Sequence, residues 1–400
     1  MSSAAGDSPG QLEHLRAALT ALLARELPAA VELRHELHAR AELSGAESDT
    51  AAAVAAALGS PAAPAVAGTG RLIRIGPPGG LSIAVRAELD ALPIAEATGA
   101  AWASRTGAMH ACGHDVHLAA LAALGRAAAA CADQLPAALL AVLQPREETA
   151  PSGAQEIATS AAFTAHHPAA VIGVHLQHQL PAGSVAAAAG TINAATDDFE
   201  LTVTGSGGHA GYPHLAADPV LALSQSVVSV QQLVSRRIDP THVAVVSVGT
   251  LRAGSAPNII PTTASASGTV RALDQADREF LRAALIDIVE YVCRAHGCRA
   301  EITVTPHEPA LVNDARLVAA CQPLLRQAGF TVDTEFRSCG ADDFSYYAAA
   351  LPSVMLFLGS GTPVSLHHPE FLPADEAVGQ VAAAMLAGYL AGVPIATETG

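Results

Sequence analysis

Between Gly107 and His117 the chain reads GAMHACGHDVH, which places the thiol of Cys112 and the imidazoles of His110, His114 and His117 in one tight turn at the start of a helix. Thiolate sulfur and imidazole nitrogen are the donors that zinc-like divalent ions prefer, and ligands two residues apart in a turn can share one small site. Taken alone, the run fits a structural turn equally well, because cysteine is a common core residue and histidine often only caps or hydrogen-bonds locally. Other donors tip the balance. Glu147 and Glu148 follow directly on the apolar run 136–144, His175 closes the apolar run that begins at Ala169, and His367 and His368 follow the loop after the apolar run 353–359. The first two groups emerge at strand ends, where open α/β sheets place their ligands. A lone strand-end histidine is more often a bonded core residue, and an isolated acid pair a solvated one. Several such groups in one chain point towards a metal. Two neighbouring acids can then divide the work, one coordinating a cation while the other takes a proton from a water whose pKa the cation lowers. That is equipment for hydrolysing an amide.

The rest of the composition narrows the field. At 400 residues and 50% hydrophobic, the chain can bury a large core, and its length favours two domains. Its 21 basic residues are all arginine against 37 acids, a net charge of −16. The absence of lysine excludes Schiff-base chemistry, the Walker lysine and a Ser-x-x-Lys nucleophile. An acidic surface repels phosphate backbones and anionic headgroups, so the expected partner is a small molecule, with no nucleic acid and no membrane. The opening MSSAAGDSPGQLEHLR lacks a basic region followed by an apolar stretch, and charge, Pro or Gly breaks the Ala-rich runs before spanning length. A soluble, cytoplasmic protein with its six cysteines reduced is expected.

The elements that must position these donors follow from periodicity. Residues 11–58 read as helix, 81–89 as a strand, and the chain from Asp115 as helix. The runs 136–144, 169–177 and 353–359 have the length of buried strands, so a mostly parallel sheet covered by helices is expected. Between about 190 and 306 the order becomes strand-helix-strand-strand-helix-strand, a split βαβ pattern that marks an inserted second domain.

The stretches RAELDALP (Arg86 to Pro93), GAMHACGHDVH, QPREE (Gln144 to Glu148), GVH (Gly173 to His175) and LHHP (Leu366 to Pro369) resemble the bimetallic aminoacylase/carboxypeptidase superfamily. Within it they are similar to the amidohydrolase branch of hippurate hydrolases, N-acyl-amino-acid amidohydrolases and indole-acetyl-amino-acid hydrolases. The likeness runs in order from about Arg34 to about Gly388. It implies an α/β metallopeptidase-type catalytic domain (1–189 and 307–400) and an α+β, ferredoxin-like lid and dimerisation domain (190–306). It further implies that Cys112, His114, Glu148, His175 and His367 bind two divalent ions, zinc or manganese with cobalt or nickel as alternatives, and that Glu147 is general base and then general acid. Asp90 and Asp115 would orient ligands; the alternative for both is a helix-capping or strand-end carboxylate. In the inserted domain the loop GSGGHAGYPH (Gly205 to His214) is similar to one whose histidine, here His209, reaches the partner subunit's site in a homodimer. Asn258 and Arg271 would hold the substrate's carboxylate.

Three positions depart from the branch: Glu88 stands where Asp is usual, Ala41 replaces a customary Pro, and Asp342 a usual Glu. None removes a proposed ligand. Among rival chemistries, the chain has no P-loop or His-Glu-x-x-His helix, and its Gly-x-Ser-x-Gly match, Gly6 to Gly10, follows no apolar strand that could make it a nucleophile elbow. A nucleophilic Cys112 activated by His114 is the more serious rival, though it leaves the strand-end acids and histidine without a purpose. The expected activity is metal-dependent cleavage of N-acyl-amino acids. The same fold could instead serve as a dipeptidase or carboxypeptidase, process an amide in biosynthesis or, less readily, only bind.

Overall fold

The computed structural model describes residues 9–398, and the chain divides into two compact units. The first comprises the chain up to Gly190, Val312–Phe336 and the chain from Tyr346 onward; the second comprises Thr191–Leu311 and Arg337–Ser345. The expected insertion ended at 306, with all later residues returned to the first domain. Arg337–Ser345 groups with the second unit because Ala194 N donates to Ser338 O and Gly340 O, at 3.2 Å each, and Arg271 Nη1 donates to Cys339 O at 3.2 Å. No local pattern announces such distant pairings.

In the first unit one sheet runs in the order Ala65–Val66, Gly70–Ile75, Ala138–Gln144, Ser82–Glu88, Pro168–Gln177, Ser353–Gly359, Ser184–Ala186, Thr331–Asp333. Its four central strands are mutually parallel. Gly70–Ile75, which the sequence reading passed over, and Ser184–Ala186 pair antiparallel at their flanks. Ser82–Glu88, Ala138–Gln144 and Ser353–Gly359 are buried at every position, as strands covered on both faces require. Alternate residues such as Ile83, Val85, Leu139, Leu143, Ile172 and Val174 join the main core, which includes the packed helices Pro9–Ala39, His114–Ala129 and Glu376–Glu398. The intervening positions carry Arg86, Glu88, Gln144 and His175, because side chains alternate across a strand.

The structure departs from expectation at two further places. Residues 11–58 are two helices, Pro9–Ala39 and Ser48–Ala57. Between them Leu43 bridges Ala91, Ala91 N donates to Glu42 O at 2.8 Å, and the Glu42 carboxylate accepts from Thr50 N at 2.7 Å. Tertiary pairing here overrides helix propensity. The segment Glu376–Ala396 is also long and apolar enough to cross a bilayer, although 78% of its most apolar window is buried inside the protein. It is a core helix, tied down by the Tyr389 hydroxyl donating to Ala137 O at 2.6 Å.

The second unit has its own core, with Phe199, Leu201, Val203, Leu223, Val230 and Leu285 among its members. Four antiparallel strands lie in the order Ala244–Ala253, Thr263–Ala272, Ala195–Thr204, Arg299–Pro306, the ferredoxin-like order for this sequence of elements. Helices Pro219–Arg237 and Gln275–Ala295 pack on it, each started by an aspartate, Asp218 or Asp274, whose carboxylate accepts two backbone N–H groups. Inside, Arg278 holds Asp197 with two bonds of 2.8 Å.

A buried ionic network fastens the first helix to the turn at the start of His114–Ala129. Asp115 Oδ2 accepts from Arg34 Nε at 3.1 Å and His38 Nδ1 at 3.0 Å, and Glu96 Oε2 accepts from His38 Nε2 at 3.1 Å. Burial by itself would lower the His38 pKa, but Asp115 and Glu96 outweigh it and hold the value above the ordinary one. Its stabilisation is therefore complete below the unfolded value of about 6.5 and lost as pH climbs through the raised folded value. His38→Gln should cost roughly 3–5 kcal/mol in urea unfolding at pH 6, with the difference narrowing towards pH 9. A pH-independent difference would show that His38 is neutral in the fold.

Candidate metal centre and active site

At the carboxyl ends of the central strands the first unit gathers sulfur, imidazole and carboxylate donors from segments far apart in sequence. Cys112, Glu148 and His367 each offer a ligand atom within 4.8 Å of the others, as do His114, Glu147 and Glu148. A third set within the same limit comprises Glu88, His114, His117 and His175, and Cys112 Sγ lies 3.4 Å from His175 Nε2. The structure thus brings together all five residues expected as ligands, with Glu147 beside them.

Hydrogen bonds behind the candidate ligands fix which atoms face the cluster. His114 Nδ1 donates to Asp90 O at 2.8 Å and His175 Nδ1 donates to Leu176 O at 2.7 Å. A carbonyl oxygen can only accept, so both rings carry their proton on Nδ1 and turn an Nε2 lone pair inward, the arrangement typical of metal-binding histidines. His114 Nε2 is buried without a hydrogen-bond partner, as is Glu148 Oε1; His114 Nε2 stands 3.9 Å from Glu147 Oε2, and His367 Nε2 stands 3.6 Å from Glu148 Oε1. Two orphaned, buried groups of this kind are costly unless something positive sits between them. Among the described residues, the donor set fits a pair of divalent cations.

Local backbone geometry serves the same convergence. Gly113, at φ +86°, makes the left-handed bend between Cys112 and His114 that opens the helix, a conformation open to glycine at no steric cost. Arg146 and His367 adopt left-handed φ of +52° and +64° without being glycine, a strain that clusters at functional sites. The His367 turn is pinned by its own N–H donating to Ala111 O at 2.9 Å.

The electrostatics weigh against a nucleophilic cysteine. Burial and then Glu148, Glu147 and Glu88 push the Cys112 thiol well above its usual value, so the thiolate gains nothing from its protein neighbours and needs a cation. For His114, burial lowers the pKa, but Glu88, Asp90 and Glu148 outweigh it and raise the value; the same field that draws a proton to Nε2 draws a metal ion. Glu148 is held below its ordinary value because His367, His114 and His175 overcome the penalty of burial.

Asp90 lies behind the candidate ligands His114 and Glu148. Its Oδ2 accepts from Glu148 N at 2.9 Å and Ser44 Oγ at 2.7 Å, while its backbone carbonyl orients His114. Asp115 differs from expectation: its hydrogen bonds run to Arg34 and His38, so it anchors the ligand-bearing turn from behind and orients no ligand directly. Nor does it cap the helix, whose first turn follows Gly113 without a side-chain cap.

Glu88 and His117 carry more of the site than the sequence reading gave them. His117 Nδ1 donates to Glu88 Oε2 at 2.9 Å, and its Nε2 accepts from Leu176 N at 3.1 Å, so both nitrogens are already committed. Glu88 also pairs with Arg86, whose Nε donates to Gln144 Oε1 at 2.8 Å. Arg86 and His117 hold the Glu88 carboxyl well below its normal range against its burial. The signal was present: Arg86 and Glu88 share one face of a strand, and His114 and His117 one face of a helix.

The remaining candidates belong to the second unit. Gly208–His209 pairs antiparallel with Ile259–Ile260, and Ala210 N donates to Asn258 O at 3.1 Å, so His209 and Asn258 are neighbours; both are exposed. His209 Nδ1 accepts from Gly211 N at 2.9 Å, which leaves the proton on Nε2 as a donor. Arg271 is half-buried, with Nη1 donating to Thr196 Oγ1 at 3.1 Å and Cys339 O at 3.2 Å.

Metal addition to chelated protein should stabilise it by about 2.7 kcal/mol when free metal is one hundred times Kd, read from the unfolding midpoint. Cys112→Ser and His114→Ala should each reduce that gain; an undiminished gain in both would place the metal elsewhere.

The model of peptidase family M20/M25/M40 matches residues 84–391. The N-acetyldiaminopimelate deacetylase of Shouchella clausii is 36% identical over 300 residues, covering 74% of this chain and 79% of that protein. The N-acetyl-L-cysteine deacetylase of Bacillus subtilis is 33% identical over 353 residues, covering 87% of this chain and 84% of that protein. Among solved structures, the YXEP protein of Bacillus subtilis, a dinuclear metal-binding peptidase of the M20 family, superposes with a TM-score of 0.79 at 27% identity, covering 92% of this chain and 98% of that one. The chain belongs to peptidase family M20/M25/M40 and is a hydrolase of amide bonds.

Proposed function

We propose that the protein removes the acyl group from N-acyl-amino acids, with two divalent cations held by Cys112, His114, Glu148, His175 and His367 and with Glu147 as the proton carrier. The observation that carries this reading is the inward pair of Nε2 lone pairs on His114 and His175, locked by backbone carbonyls beside the Cys112 thiol and the Glu148 carboxylate. The thiolate and imidazole donors favour zinc, while the carboxylates also admit manganese, cobalt or nickel. Bound there, the cations would supply Lewis acidity towards water and the scissile carbonyl.

Glu147 is suited to its part by being mostly enclosed, with 11% of its side chain exposed, and by its place next to Glu148 on one loop. Its carboxylate accepts the proton of the attacking water and returns it to the departing amine nitrogen. The resemblance assigns His209 the donor role towards the developing oxyanion, in the partner subunit's site, and assigns Asn258 and Arg271 the substrate carboxylate; the Nε2–H of His209 and the guanidinium of Arg271 suit these tasks. A homodimer through the second unit is part of the proposal. It is supported by the exposure there of Tyr212, Leu215, Leu221, Val228, Leu251 and Tyr291. The deacetylase names of the relatives favour a small acyl group such as acetyl, and six free cysteines suit the cytoplasm.

Glu147→Gln should lower kcat on N-acetyl-amino acids by about 10²–10⁴-fold while leaving bound metal unchanged; a variant with full turnover would reassign the base. Chelation should abolish hydrolysis and metal re-addition restore it, whereas a binding protein would show no turnover in either state. Mixing inactive His209→Ala with inactive Glu147→Gln subunits should recover activity in hybrid dimers, and no recovery would sink the shared site.

A further inference from the structure

The loop that carries Glu147 and Glu148 leaves the sheet after Gln144 through Pro145, which has no N–H, and Arg146, which is left-handed at φ +52°. Such a turn persists only where its surroundings over-determine it. One of the residues that does so belongs to the turn between the first two helices. Glu47 is 0% exposed. Its Oε1 accepts from Gly45 N at 2.7 Å and from Arg146 N at 3.0 Å, and its Oε2 accepts from Thr69 Oγ1 at 2.7 Å. Among the described residues it forms no ion pair. A buried carboxyl group is expensive, and a packed apolar side chain would fill the space at less cost, so what this one contributes is geometry.

We propose that Glu47 is a positioning residue for Glu147, acting by fixing the Arg146 backbone. The two carboxylates, Glu47 and Asp90, grip the loop one residue on either side of Glu147: Arg146 N donates to Glu47 and Glu148 N donates to Asp90. Both are themselves held by the 44–47 turn, Glu47 through Gly45 N and Asp90 through Ser44 Oγ. On the other side Gly153 N donates to Arg146 O at 3.3 Å, and a Cβ at Gly153 would lie 1.8 Å from Pro145 O, so the loop cannot yield in that direction. Glu147 therefore stands between two clamped amides, which aim its carboxylate. This inference rests on Glu147 being the proton carrier.

The test combines kinetics on N-acetyl-amino acids with amide hydrogen exchange of the 146–148 segment, which needs no substrate. Glu47→Gln keeps an oxygen for both backbone donors and should stay within about threefold of the unaltered protein in kcat, since misplacement, not charge, is what costs rate. Glu47→Leu removes the acceptor. It should lower kcat about 100-fold, leave KM and bound metal per chain unchanged, and speed exchange of the Arg146 amide about tenfold or more. Glu47→Asp, one methylene shorter, should behave like the Leu variant in kcat and exchange while keeping a polar group for Gly45. Three results would overturn the proposal: Leu and Asp variants with full kcat, a Gln variant as slow as the Leu variant, or loss of metal in step with activity. If the Leu and Asp variants fail to fold, the unaltered protein still decides, because rapid exchange at Arg146 means that Glu47 does not hold it. Should the protein hydrolyse no N-acyl-amino acid, the functional reading fails while the exchange measurement still judges the clamp.

Discussion

Several carboxylates and a thiol in one enclosed pocket are tolerable only where positive charge is supplied, and most of the first unit's polar architecture answers that requirement. Glu88 is neutralised by Arg86 and His117. Glu147, Glu148 and Cys112 face three histidines, two of which cannot turn their protons towards them because backbone carbonyls hold those protons behind. The same excess of negative groups raises the thiol pKa and the affinity of His114 for positive charge, so one demand, for positive charge, organises the pocket.

Meeting that demand requires donors from many segments to agree in position, and the parallel sheet provides the frame. Its strands are apolar towards the main helical layer at alternate positions, while the opposite positions of two strands, near their carboxyl ends, become Glu88 and His175. Loops leaving those ends carry the rest. Each is restrained from behind: the Cys112–His114 turn through Asp115 and the Arg34 and His38 side chains, the Glu147–Glu148 loop through Glu47 and Asp90, and His367 through Ala111. The break between the first two helices thus has a structural purpose, since a continuous helix through 40–47 would remove the turn that supports both clamping carboxylates.

The second unit is built on a different principle. It folds around its own apolar core and a buried Arg278–Asp197 pair, with an open antiparallel sheet whose strand Ala195–Thr204 alternates buried and exposed along most of its length. Of its candidate residues, His209 and Asn258 are exposed, while Arg271 is half-buried with Thr196 and Cys339 as partners. The fold constrains the exposed pair less than it constrains the side chains that line the first unit's pocket.

The sequence by itself determined the central strands and the kind of chemistry. The runs 136–144, 169–177 and 353–359 had to be covered strands because they are apolar at nearly every position, and the Cys-x-His turn and strand-end donors announced a metal. Both patterns are local, set by side-chain periodicity and spacing. Tertiary structure decided whatever depended on pairing between distant segments: the helix break at 40–47, the transfer of 337–345 to the second unit, the fate of Asp115, and the roles of Glu88, His117 and Glu47. A buried carboxylate looks the same in sequence whether it binds an ion, pairs with an arginine or holds a backbone amide. Only the fold brings up the partner that distinguishes these cases, because the free energy of a buried charge is set by what surrounds it in space.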